Sequence, residues 1–215
     1  SYFHYDCTLM AKYAEMLGKK EDAAEFTALA ERLEKAFTAA FFKPDQNLFD
    51  NGTQTTSVLA LAFDLVPEGH REGVFSNLVT NIVEKTDSHV GTGLIGGQWL
   101  MRTLTDHGRP DLAYTLATNT TYPSWGYMIE QGATTIWELW NGDTADPAMN
   151  SGNHVMLVGD LVTWFYGYLG GIRPTPEAPG FQSALIKPHV TGDLTRVSAT
   201  FDSQYGRYAS NWQKN

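Results

Sequence analysis

With 215 residues, a formal net charge of −9 and a pI near 5.0, the chain suits one substantial domain, or one with a smaller appendage. The acidity leaves no basic stripe for a phosphate backbone and no attraction to an anionic membrane, so neither nucleic acid nor membrane is expected as a partner. Its single cysteine, Cys7, excludes an intrachain disulfide and a cysteine-built metal site.

The opening residues Ser1 to Asp6 carry neither an initiator Met nor a charged-then-apolar leader, which points to a chain cut from something longer. Residues 1–40 read as a helical hairpin. Leu9, Tyr13, Met16 and Leu17 form one stripe, and Phe26, Leu29, Ala30, Leu33, Phe37 and Phe41 form the other. Gly18 stops the first helix, and Glu21 and Asp22 complement the dipole of the second. Helices are expected next at about 53–65 and 68–84, with Pro67-Glu68-Gly69 as the corner between them, then at 93–107, and then from Pro110 through Leu116.

Residues 121–150 interrupt this rhythm with Pro123, Gly126, Gly132, Gly142 and Pro147, so loops or a short β-excursion are expected there. A helix over 151–169 is apolar almost all round, which predicts enclosure by protein; its interruptions at Gly159, Asp160 and Thr163 exclude a bilayer span. Gly170-Gly171 ends it. Beyond the Pro-rich bridge 173–179 the pattern alternates at 184–187, 195–201 and 207–212, with 202–206 as a hairpin turn.

The fold class expected is mainly α, a partial (α/α)6 toroid followed by a short antiparallel β segment. A closed six-hairpin toroid needs about twelve helices, and at about 11–12 residues each plus turns it exceeds this chain.

The stretch from Tyr122 to Trp140 concentrates the chemistry, with five aromatic rings and two carboxylates in nineteen positions. Flat rings cover the apolar faces of a pyranose, and a carboxylate near an anomeric carbon can activate water, attack or donate a proton. If residues 136–140 are extended, Glu138 and Trp140 point into one space, with Trp125 and Trp140 as the rings that hold a sugar. The competing reading of Glu138 is a rim carboxylate bonded to backbone. Glu130 lies roughly 26 Å away along a continuous strand, and only a hairpin at 132–135 brings the two together. His154 opens the 151–169 helix and reads either as a rim residue facing a funnel or as a core or capping histidine. Asp143 and Asp146 read as solvated turn acids.

No two of the six histidines fall at helical i, i+4 spacing, and there is no Asp-rich calcium loop, so no metal or cofactor is expected. The glycines of Gly91-Thr92-Gly93-Leu94-Ile95-Gly96-Gly97 lack the surrounding βαβ unit of a dinucleotide site.

Seven motifs recur in a specific order: Gly52-Thr53-Gln54-Thr55, Gly91-Thr92-Gly93-Leu94-Ile95-Gly96, Tyr122-Pro123-Ser124-Trp125-Gly126-Tyr127-Met128, Gly132-Ala133-Thr134-Thr135-Ile136-Trp137-Glu138, Met149-Asn150-Ser151-Gly152-Asn153-His154, Gly171-Ile172-Arg173-Pro174 and Ala178-Pro179-Gly180-Phe181. In this order they resemble bacterial α-L-rhamnosidases of glycoside hydrolase family 78. The resemblance implies an (α/α)6 catalytic barrel, with residues 1–172 as its later part, and a C-terminal β-sandwich whose incomplete start is 173–215. It implies hydrolysis of terminal α-L-rhamnose with inversion, Glu138 as general base, and a sugar-contacting role for His154.

The family's partner acid belongs to an upstream Asp- and Arg-rich motif ending in Glu, which this chain lacks. The general acid is therefore expected in the remainder of a parent enzyme upstream, and the isolated chain is expected to be inactive. The expected substrate is a rhamnose-containing glycoside or polysaccharide. Leu139 stands where Arg is frequent in the family, Gly152 where an aromatic is common, and Val155-Met156 replace a more polar or aromatic pair, which bears on substrate preference. The alternatives are a non-catalytic carbohydrate-binding helical toroid and a tetratricopeptide-like interaction module; the lack of any 34-residue period weighs against the second.

Overall fold

The computed structural model describes residues 1–214 and divides into two compact units, Ser1–Thr86 and Asp87 onward. The chain is mainly helical, with three two-stranded antiparallel sheets among the described residues.

In the first unit, α1 (Tyr2–Met16) and α2 (Lys20–Phe41) form the expected hairpin, and Gly18 turns it at φ +71°. The α2 stripe is half-buried around Ala30, apart from Phe41, which is exposed. The α1 stripe is offset from expectation: Cys7, Ala11 and Ala14 are buried, while Tyr13, Met16 and Leu17 are exposed. Small side chains on α1, with Ala23 and Ala30 buried on α2, let the two backbones approach, and the large apolar residues fall outside that seam. Strands β1 (Phe42–Lys43) and β2 (Leu48–Phe49) pair before α3 (Gln54–Ala62), whose first turn is capped by the Thr53 hydroxyl accepting from Thr56 N–H. Helix α4 (Arg71–Thr80) runs on as a π-helical turn, Asn81–Lys85, so the helix expected over 68–84 is present with a changed pitch at its end.

In the second unit the helix expected over 93–107 is broken into α5 (Leu94–Gly97) and α6 (Leu100–Asp106). Two poor helix formers, Gly96 and Gly97, precede Trp99, whose φ of −131° is not helical. Helix α7 (Pro110–Thr118) packs on α6, and α8 (Trp125–Glu130) occupies part of the segment expected to be loop. The Ser124 hydroxyl accepts from Tyr127 N–H at 2.9 Å, a cap that outweighs the Gly and Pro residues nearby.

The expected 151–169 helix is three pieces: a 3₁₀ turn Val155–Val158, helix α9 (Leu161–Trp164) and a π-helical stretch Phe165–Leu169. Its enclosure is one-sided. Trp164 is fully buried, and its indole N–H donates to Thr105 Oγ1, whereas Val155, Val162, Phe165 and Tyr166 are exposed. Strand β3 (Ile172–Pro174) pairs with β4 (Ala184–Ile186), and β5 (Arg196–Ser203) with β6 (Gly206–Gln213) in register Val197 to Trp212. The Trp212 indole donates to Leu169 O at 2.8 Å, tying the β5–β6 hairpin to the helix end.

Candidate active site

Glu138 lies where the chain bends, and two stretches running side by side place its carboxylate. Glu138 N–H donates to Ser151 O at 2.9 Å, and His154 N–H donates to Ile136 O at 2.6 Å. Ser151 N–H then donates to Glu138 Oε2 at 2.9 Å, so one carboxylate oxygen is held by backbone. The other oxygen accepts from no donor among the described residues, and the side chain is 42% exposed. His154 Nδ1 stands 4.0 Å from the held oxygen, with the histidine side chain 26% exposed at the mouth of the 3₁₀ turn. The backbone bond is the one that the rim-carboxylate reading of Glu138 expects, and His154 stands beside the same oxygen.

The even alternation expected through 136–140 stops at Glu138. Residues 138–139 bend and 140–144 turn, so Trp140 swings toward Trp125, ring centroids 5.6 Å apart and edge-on, while the Glu138 carboxylate goes to Ser151 and His154. Trp125 is buried at 6% exposure, and its indole N–H donates to Leu157 O at 3.0 Å. Trp140 is half-buried and supported by that ring. Glu130 ends α8 in solvent, and among the described residues no strand pair forms about 132–135, where a hairpin is needed to join it to Glu138. Asp143 accepts weakly from Tyr127 OH at 3.3 Å, and Asp146 accepts from Ala148 N–H in its own turn.

Two further polar residues hold this site, and their bonding partners carry no local sequence signal. Asn150 Oδ1 accepts from Leu139 N–H at 3.0 Å. Asp160, 2% exposed, accepts from Met101 N–H, Arg102 N–H and Arg102 Nε at 3.0–3.2 Å, clamping the segment that follows His154 onto the first turn of α6. Burial pushes the Asp160 carboxyl up, against the pull of the Arg102 donors. Just before it, Gly159 adopts φ +61° with its Cα pressed to Gly97, where a Cβ would stand 2.4 Å from Gly97 O. Gly159→Ala is expected to destabilise the fold by about 1–3 kcal/mol. Gly18→Ala, strained at φ +71° but with nothing within 4 Å, should cost less, and thermal melts of the two variants give the comparison.

A cavity of about 720 Å³ lies apart from Glu138, lined by Tyr166, Tyr168, Arg173, Phe181 and Phe201 among others. Its one lining carboxylate, Asp202, is paired with Arg207, so the space holds no unpaired carboxylate. Among the described residues no three His, Cys, Asp or Glu side chains converge as metal ligands.

Residues 1–169 match the model of the bacterial alpha-L-rhamnosidase six-hairpin glycosidase domain, and residues 171–215 match that of the bacterial alpha-L-rhamnosidase C-terminal domain. An alpha-L-rhamnosidase of Formosa agariphila is 42% identical over 99% of the chain, which spans 23% of that relative. The solved alpha-L-rhamnosidase of Dictyoglumus thermophilum aligns over the whole chain with a TM-score of 0.93 at 36% identity, covering 24% of that structure. The Streptomyces avermitilis alpha-L-rhamnosidase, solved in complex with L-rhamnose, aligns with a TM-score of 0.91 at 38% identity over 100% of this chain and 21% of its own. The chain thus spans about a fifth to a quarter of the length of these relatives.

Proposed function

The chain belongs to the bacterial alpha-L-rhamnosidase family, and we propose from that membership that it is a portion of an enzyme hydrolysing terminal α-L-rhamnosides with inversion. Residues 1–172 are the later part of the catalytic barrel and 173–215 the start of the C-terminal β domain. Glu138 is the general base, His154 contacts the sugar, and Trp140, backed by Trp125, covers an apolar face of the ring.

The observation that carries this reading is the division of labour at Glu138. Oε2 is fixed by Ser151 N–H, while the half-open side chain leaves Oε1 free to take a proton. A water there attacks C1 as the bond from C1 to the aglycone oxygen breaks; its proton passes to Oε1, and the leaving oxygen takes a proton from a second carboxyl. Inversion needs the two carboxyls about 6.5–9.5 Å apart with the water beneath the ring. Nothing in this chain is assigned to the second role, which falls to the rest of the polypeptide.

Proton NMR of an aryl α-L-rhamnoside turned over by the full-length polypeptide tests the reading. The β anomer of free rhamnose should form first and then mutarotate, and the 215-residue chain alone should release none. Early release of the α anomer, or no release by the full-length polypeptide, overturns it.

A further inference from the structure

The backbone bonds around Glu138 include one supplied by a side chain. Leu139 N–H, the first donor after the base, gives its hydrogen to Asn150 Oδ1 at 3.0 Å. The neighbouring residue, Ser151, accepts from Glu138 N–H at 2.9 Å through its carbonyl and returns its own N–H to Glu138 Oε2 at 2.9 Å. Residues 138–139 and 150–151 are therefore joined by three bonds, and only the Asn150 link can be removed by substitution without touching Glu138 or the backbone.

From this we infer that Asn150 is a positioning residue for the base. Its amide oxygen locks the bend at 138–139 against the 150–151 stretch, and so sets how far the Glu138 peptide stands from the Ser151 N–H that holds the carboxylate. The inference rests on the reading of Glu138 as general base. Without the Asn150 oxygen Leu139 N–H loses its partner and the bend is held to the 150–151 stretch by the two Ser151 bonds alone, one of which ends on the three-torsion Glu138 side chain. Displacements of about 1 Å at a reacting group are enough to cost about 100-fold in rate.

Asn150 is half-buried in a loop and carries no core side chain, so its replacement is compatible with folding. In the full-length polypeptide, Asn150→Ala should lower kcat on an aryl α-L-rhamnoside by about 10–100-fold with KM within about twofold, the signature of an interaction realised in the transition state. Asn150→Asp keeps an acceptor oxygen at the same reach and should recover most of the loss. The deficit should also be equal for aglycones of low and high basicity, since the water must surrender its proton whichever group departs. Should Asn150→Ala fail to fold, Asn150→Ser supplies the same comparison, its hydroxyl being too short to reach Leu139 N–H.

Wild-type kcat in Asn150→Ala, or a loss shared with KM that Asn150→Asp does not recover, overturns the positioning role. Glu138→Gln measured alongside separates the two claims. A fully active Glu138→Gln removes the base assignment itself, whereas an inactive Glu138→Gln beside an unimpaired Asn150→Ala removes the Asn150 inference alone.

Discussion

Glu138→Gln in the full-length polypeptide is expected to lower kcat on an aryl α-L-rhamnoside by about 10²–10⁴-fold, the range that a positioned general base supplies, with little change in KM. The substitution preserves shape. The amide oxygen can still accept from Ser151 N–H, the donor that now holds Oε2 at 2.9 Å, and this turns the amide NH₂ toward the position of the free carboxylate oxygen. An NH₂ group cannot take a proton from water, so attack at C1 loses its base while the sugar keeps its contacts. The defect should persist with an activated aryl leaving group, which relieves the need for the acid but not for the base. Initial rates on two aryl rhamnosides that differ in phenol acidity measure both features.

Asp160→Ala is expected to destabilise the fold by about 2–5 kcal/mol, because the carboxylate it removes is buried and accepts from the Met101 and Arg102 backbone and from Arg102 Nε. The backbone donors sit in the first turn of α6, whose N-cap position supplies no side-chain cap. The Arg102 side chain is 29% exposed and stacks over Trp99 at 4.2 Å, so water and that ring absorb part of the loss. Asp160→Asn keeps one acceptor and should cost less.

Neither variant titrates at this position, so both differ from wild type in their dependence on pH. Burial raises the Asp160 carboxyl in the folded chain above its ordinary 3.8, so the folded state binds this proton more readily than the unfolded state. That contribution to stability is fully present below the unfolded value and is lost as pH rises through the raised folded value. The stability gap between wild type and the non-titrating Asp160→Asn should therefore narrow as pH climbs through that window. Thermal unfolding of the full-length polypeptide, followed by tryptophan fluorescence at several pH values, checks both statements.

What could be read from the sequence follows the range over which each interaction acts. The α1–α2 hairpin and the β5–β6 hairpin are encoded by neighbours in the chain, through the 3.6-residue stripe of α2 and the alternation of 195–212, and both are present. Where apolar residues crowd every position, as over 151–169, periodicity cannot locate the break at Gly159, which depends on the approach of Gly97. Glu138 stood out through its motif. Its orientation depends on Ser151 and Asn150, eleven or more residues away, and the Asp160 clamp reaches back fifty-eight residues to Arg102. Such pairings leave no periodic trace, and so the partners of Asn150 and Asp160 emerge only from the folded chain.

The most direct test of the base assignment is a crystal structure of the full-length Glu138→Gln polypeptide with an intact α-L-rhamnoside bound. The rhamnose ring should lie against Trp140 and His154, with a water hydrogen-bonded to residue 138 on the face of C1 opposite the aglycone. A sugar bound with C1 beyond the reach of one water from residue 138 removes Glu138 from the base role.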